Sequence, residues 1–270
     1  MRLSELGELG LLAELERRGL AQSIENDAAE LEDGRIVTQD ALVEDVHFKC
    51  DWITWRDLGF RAAAVNLSDL AASGAVPDGL IVSLGLPGET ELDDVLELYG
   101  GMRETGVPVI GGDTTAAERV YLSVTAVGRS ERVPGRSGAQ PGDLLAVTGP
   151  LGAAGVAFRE NRYVRPPVRL EEGRRLARTA HAMLDISDGL ERDLAHLARR
   201  SGVRCVVELE RVPLAEGAAI EDLGFGEDYE LLAALPTEAA HVIGHCEPGE
   251  GVELLRDGVP VELGGWEHFS

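Results

Sequence analysis

Lysine is almost missing from this chain. Lys49 is the only one in 270 residues, beside 24 arginines. A Schiff-base mechanism therefore has a single candidate residue. Gly-x-x-x-x-Gly-Lys-Ser/Thr does not occur, which excludes a P-loop nucleotide site, and neither the protein-kinase signature nor a nucleophile elbow is present. Cysteine is scarce as well. Cys50, Cys205 and Cys246 are odd in number and contain no Cys-x-x-Cys pair, so they read as reduced thiols rather than a disulfide framework or a zinc site. Aromatic residues make up 4%, leaving the core to Leu, Val, Ala and Ile. No apolar run approaches roughly 18 residues and the N-terminus has no apolar signal core, so the expectation is a cytoplasmic protein without a membrane span. Positive charge is lacking too. A net charge of −23 argues against nucleic acid and anionic membranes as partners. Most of that acidity reads as solvated surface, and the arginine bias as genomic base composition.

The length fits one large or two moderate domains. Leu6, Leu9, Leu12 and Leu15 predict a helix over 3–18 with Ser4 as its N-cap. A strand over 34–43 carries Asp40, and His47 and Phe48 follow in a loop. The pattern continues with a small-residue helix over 56–73, a strand over 80–86, a helix over 91–105, a short strand over 107–110 ending on Gly111-Gly112-Asp113, and a strand over 121–127. Residues 130–142 are rich in Pro and Gly and mark a boundary, giving domains 1–133 and 134–270. The second half reads as a strand over 144–147, a Gly-rich turn into a helix, a strand over 182–186, a helix over 187–200, strands over 203–209 and 229–234, and a helical stretch near 236–244. Alternating strands and helices in both halves predict two α/β or α+β domains.

Five acidic motifs sit where apolar runs give way to Gly, Ser or Thr: Glu25-Asn-Asp27, Asn66-Leu-Ser-Asp69, Gly111-Gly-Asp113-Thr-Thr, Asp185-Ile-Ser-Asp188 and Gly226-Glu-Asp-Tyr-Glu230. Each alone has an ordinary explanation. Asp113 fits an Asx-capped turn, Ser187 or Asp188 an N-cap, Glu227 to Glu230 an acidic turn, and Arg136 a solvated loop. Asp69 is the exception, because a carboxylate among alanines and leucines needs a partner. Converging carboxylates repel by about 4 kcal/mol per pair at 4 Å in a surface-like dielectric, so a shared site requires a cation. Hard oxygen ligands suit Mg²⁺, which usually accompanies phosphates.

In this order the motifs resemble the thiamine-monophosphate kinase family, in the ATP-binding superfamily that includes aminoimidazole ribonucleotide synthetase and selenophosphate synthetase. The resemblance runs from Leu3-Ser-Glu-Leu-Gly7 through Ala64 to Ala72, Ile110 to Thr115, Arg136 to Asp143, Leu184 to Leu190 and Gly226 to Leu231 to Trp266-Glu-His-Phe269. It implies two domains and a homodimer whose N-terminal sheets pair into a β-barrel. It also implies ATP and several Mg²⁺ ions in the interdomain cleft, and ATP-dependent conversion of thiamine monophosphate to thiamine diphosphate. By motif, Asp27, Thr38, Asp40, Asp69, Asp113, Asp185 and Asp188 resemble the metal shell. Gly112, Asp113, Arg136 and Ser187 resemble nucleotide contacts, and His47, Glu227 and Trp266 substrate contacts. Two departures stand out: Asn26 where the family has a carboxylate, and Gln39 where it has a hydroxyl. The stretch between Gly149 and Asp185 is also compact. The early reactive Cys of selenophosphate synthesis and the Cys tail of the hydrogenase-maturation relatives are missing. Aminoimidazole ribonucleotide synthesis, or a non-catalytic nucleotide or thiamine-phosphate binder, are the alternatives.

Overall fold

The computed structural model describes residues 2–21, 26–237 and 240–265. The first half runs α1 (Leu3–Arg17), β1 (Ala29–Glu30), β2 (Arg35–Val43), α2 (Trp55–Ala72), β3 (Val76–Leu86), α3 (Leu92–Glu104), β4 (Val109–Ala116) and β5 (Tyr121–Arg129). The second runs β6 (Leu144–Val147), α4 (Ala153–Arg159), α5 (Leu170–Leu176), β7 (Ala182–Asp185), α6 (Leu190–Ser201) and β8 (Arg204–Glu208). It ends with β9 (Leu231–Leu235), β10 (Val242–Glu247), β11 (Gly251–Arg256) and β12 (Val259–Val261).

Strands β1 to β5 make a sheet in the order β1-β2-β5-β3-β4, antiparallel except between β3 and β4. Alternation along β2 buries Ile36, Thr38 and Leu42 beneath α2 and turns Arg35, Gln39 and Ala41 the other way. Helix α2 starts at Thr54, whose hydroxyl accepts the Asp57 N–H at 3.1 Å. Its contact with α3 depends on two glycines: a β-carbon on Gly59 would overlap the Leu98 carbonyl, and one on Gly101 the Arg56 carbonyl. The opposite face of the sheet stays exposed at Ile81, Ser83 and Tyr121.

The barrel implied by the family resemblance is corrected here. Among the described residues this sheet is an open layer with β1 and β4 at its edges, and no sheet closes on itself. Closure requires tilted strands staggered around a full ring. Five strands with helices stacked on one face make a one-sided layer instead.

The second sheet has the order β12-β11-β8-β10-β6-β9-β7, antiparallel except between β8 and β11. Strand β9 is apolar throughout because both its faces are covered. Leu232 and Ala234 pack with Leu184, Leu194 and Leu197, while Leu231, Ala233 and Leu235 pack with Ala71 and Ala72 at the end of α2. One helix therefore serves both layers. Gly173 of α5 also lies against α2, where a β-carbon would overlap the Ala71 carbonyl.

Three local expectations change. Parallel pairing with β3, which sets Ser83 beside Asp113, keeps 111–116 extended as an edge strand instead of a turn. Residues 242–247 form a strand, since pairing with β6 and β8 sends Ile243 and Cys246 into the core. Helix α1 begins after Arg2 rather than Ser4, and it kinks at Gly7, where φ is 69°.

Candidate active site

Carboxylates from three elements meet at one point. Asp27 precedes β1, Asp69 lies on α2 and Asp185 ends β7, and one oxygen of each is within 4.8 Å of the others. Helix and strand periodicity explains the alignment. Asn66 and Asp69, three apart on one helix face, meet Asp40 and Thr38, two apart on one strand face. The Asn66 Oδ1 accepts the Asp40 N–H at 3.0 Å, and the Thr38 hydroxyl donates to Asp69 at 2.5 Å. Asn66 is itself held by donating to the Ala62 carbonyl at 3.0 Å. The Ser68 hydroxyl donates to Asp185 at 2.6 Å. Arg136 brings the one guanidinium of this group, donating to Asp27 at 2.5 and 2.8 Å.

Burial pushes the carboxyls of Asp27, Asp40, Asp69 and Asp185 upward, with Arg136 opposing it at Asp27. Neighbouring carboxylates add to the rise at the other three, taking Asp40 to about 6 and Asp185 to about 8. Among the described residues, four acids share one arginine. The donors are all hard oxygens, and two are oriented by hydroxyls, so the set fits Mg²⁺.

The segment Gly226 to Glu230 is bonded directly to this centre. Ile186 donates to the Glu230 carbonyl at 2.9 Å, while Tyr229 donates to the Ile186 carbonyl and Glu227 to the Ser187 carbonyl, each at 2.8 Å. Glu227 (φ 59°) and Tyr229 (φ 51°) are left-handed. That conformation costs a non-glycine residue about 1–2 kcal/mol. Unlike the first cluster, these acids have local partners. Glu227 pairs with the buried Arg61, Glu230 takes Arg169 at 2.6 and 2.7 Å, and Asp228 accepts the Gly152 N–H at 2.7 Å. Burial raises Asp228 to about 7.

Beside this loop lies a cavity of about 330 Å³. Trp52, Phe158 and Phe225 form its wall, with ring centroids 5.7 Å apart edge-on and 5.0 Å apart tilted. His47, Arg61 and Glu227 are among its polar lining. Tyr229 lines it too, and its N–H is bonded to the carbonyl of Ile186, the neighbour of Asp185, so the cavity adjoins the carboxylates.

Of the residues singled out in the sequence, the fold gathers Asp27, Thr38, Asp40, Asp69, Asp185 and Arg136. Asp188 stands at the start of α6, 3.4 Å from Arg192, and the N–H groups of Ser187 and Asp188 both donate to Asp193 at 3.1 Å. His47 accepts the Val43 N–H at 3.1 Å. Asp113 is elsewhere, exposed on β4 beside Ser83 and on the sheet face turned away from α2. At Gly112 a β-carbon would overlap the Val82 carbonyl, so strand pairing alone demands the glycine. Trp266 lies outside the described residues.

Both departures have local explanations. Gln39 faces away from the cluster, donating to Ser123 at 2.9 Å and accepting from Thr125 at 3.1 Å. Asn26 Oδ1 accepts the Arg136 N–H at 3.0 Å and so ties the first motif to the arginine loop. Sequence reasoning missed Arg61, Asp193 and the aromatic wall. A cation heading the run Arg61-Ala-Ala-Ala-Val65 was the available signal for the first, and an acid in the first turn after Asp188 for the second.

A family model for AIR synthase related protein, N-terminal domain, matches residues 25–130. Thiamine-monophosphate kinase from Aquifex aeolicus (strain VF5) is 36% identical across 100% of both chains. The enzyme of the same name from Pyrococcus abyssi is 33% identical across 87% of this chain and 86% of its own. The solved structure of AaThiL complexed with AMPPCP and TMP superposes with a TM-score of 0.89 at 35% identity, covering 99% of each chain. The hydrogenase maturation protein HypE in complex with ATP shares the fold alone, at 20% identity and a TM-score of 0.70 over 97% of this chain and 98% of its own. The two-domain α/β architecture, the convergent aspartates and full-length identity above 30% lead to one assignment: the chain belongs to the thiamine-monophosphate kinase family.

Proposed function

We infer that this chain catalyses ATP-dependent phosphorylation of thiamine monophosphate, giving thiamine diphosphate and ADP. The observation that carries this reading is the junction of two environments: Asp27, Asp69 and Asp185 within 4.8 Å of one another, against a cavity walled by aromatic rings. The domains are taken as 1–133 and 134–270, with the reaction between them.

Asp27, Asp69 and Asp185 would hold Mg²⁺, with Thr38, Asp40 and Asp188 completing or orienting the shell. Mg²⁺ bound there supplies neutralisation of the charge on the phosphates. The acceptor is a phosphate oxygen, largely ionised near neutral pH, so no side chain needs to act as a strong base. The protein's work is alignment for direct in-line transfer. Ser68 and Thr38 orient the carboxylates, Arg136 supplies fixed positive charge, and Arg136, Ser187 and Gly112 are assigned to the nucleotide. The cavity takes the thiamine moiety, with His47 and Glu227 as contacts and Trp266 stacking on a ring.

Asp113 faces away from its own chain's cluster, which favours a homodimer in which it serves the second copy. Mixing inactive Asp69→Asn and Asp113→Asn subunits tests this: recovered turnover supports a shared site, and none argues against it. The reaction itself is tested by ADP release with thiamine, thiamine monophosphate and aminoimidazole precursors. ADP release with thiamine monophosphate alone, dependent on Mg²⁺, is expected. No release from folded protein at millimolar Mg²⁺ would refute the assignment.

A further inference from the structure

We propose that Tyr163 and Glu227, both braced by Arg61, form a donor–acceptor pair that reads the aminopyrimidine edge of thiamine monophosphate. This rests on the cavity being that substrate's site. The Tyr163 hydroxyl is buried and has no hydrogen-bond partner among the described residues. A buried hydroxyl in that state is costly unless a ligand completes it. Tyr163 and Glu227 both line the cavity. Arg61, only 4% exposed, donates to Glu227 Oε1 and lies with its guanidinium carbon 5.6 Å from the centre of the Tyr163 ring. A single cation, rooted in α2, thus fixes both groups. Burial also raises the Tyr163 phenol, which keeps its proton available for donation.

The chemistry is complementary. An aminopyrimidine presents an exocyclic N–H donor next to a ring-nitrogen acceptor. A carboxylate accepts from the first and a phenol donates to the second, while Trp52, Phe158 and Phe225 offer flat apolar surface to the ring. An apolar wall alone discriminates poorly between rings of similar shape, whereas paired buried polar groups reject a ring with the wrong edge.

The test uses the full-length enzyme and two substrates: thiamine monophosphate, and its analogue with oxygen in place of the exocyclic amine, which inverts the donor–acceptor order. Tyr163→Phe removes only the hydroxyl. The KM for thiamine monophosphate is expected to rise about three- to tenfold, with kcat and the KM for ATP little changed and the preference over the oxo analogue reduced by a similar factor. Unchanged KM and unchanged preference would overturn the pairing. So would equal rises in both KM values with preference intact, the mark of a merely structural role. Ala157→Phe fills the cavity and tests the underlying assignment, with Trp52→Ala, which strips part of the aromatic wall, as a second probe. If both keep the wild-type KM for thiamine monophosphate, the cavity assignment falls and the pairing with it. If they lose saturation while Tyr163→Phe is silent, only the pairing falls.

Discussion

Two acidic groups lie side by side in this molecule and are handled in opposite ways. The two glutamates of the run Glu227 to Glu230 are balanced by the fold itself, Glu227 by Arg61 and Glu230 by Arg169, while Asp228 between them accepts the Gly152 N–H on one oxygen and has no partner on the other among the described residues. The cluster of Asp27, Asp40, Asp69 and Asp185 has, among the described residues, Arg136 alone, and its carboxyls are pushed upward by burial and, at Asp40, Asp69 and Asp185, by mutual repulsion. Permanent partners make structure. A deficit of partners leaves the cluster short of positive charge, which is what fits it to the proposed Mg²⁺ site.

The sharpest way to break this contrast is Asp69→Asn. It should lower kcat/KM by about a thousandfold while leaving the metal-free melting temperature unchanged or higher, because it removes repulsion. Steady-state kinetics beside a thermal melt would check both, and retained turnover would mean the cluster is not the reaction centre. Arg61→Met should act the other way round, costing about 2 kcal/mol of stability in urea unfolding by removing the charged hydrogen bond to the half-buried Glu227.

The pH dependence sharpens the comparison further. Asp185 titrates at about 8 in the folded chain against an ordinary 3.8, and Asp40 at about 6. The folded state therefore keeps protons that the unfolded chain releases. The resulting stability is fully present below about pH 4 and is lost as pH rises through 6 and 8, so the metal-free melting temperature should fall over that window. Mg²⁺ competes with those protons, and its stabilising effect should be larger at pH 8 than at pH 5. An Asp185→Asn variant should flatten the metal-free profile. The smallest effect is expected for Gln39→Ala, within about 0.5 kcal/mol and without change in kcat, since Gln39 bonds only across the outer face.

Much of the site was legible in local spacing. Asn66 and Asp69 share a helix face by their separation of three, and Thr38 and Asp40 share a strand face by their separation of two. Both pairings recur as hydrogen bonds at the cluster. The same alternation shows why Gln39 does not weaken it. Less was legible where long-range pairing decides conformation. Gly111-Gly112-Asp113 has turn composition but is held extended by β3, and residues 242–247 are a strand because β6 and β8 flank them. The aromatic wall was invisible for a related reason, since Trp52, Phe158 and Phe225 are far apart in the chain and share no motif.

Composition and motif order by themselves narrowed the chemistry: almost no lysine, no phosphate loop, and recurrent aspartates of the donor type that suits oxygen-bound cations. They also determined the family, because those motifs are short and local. Only the tertiary structure decided which acids are left short of positive charge, since that depends on which arginine lies across the fold from which carboxylate. It likewise decided that the first sheet is open, that Asp113 faces outward, and that a buried arginine on α2 supports a tyrosine a hundred residues away. Contacts between distant segments depend on packing and register, which no local pattern encodes.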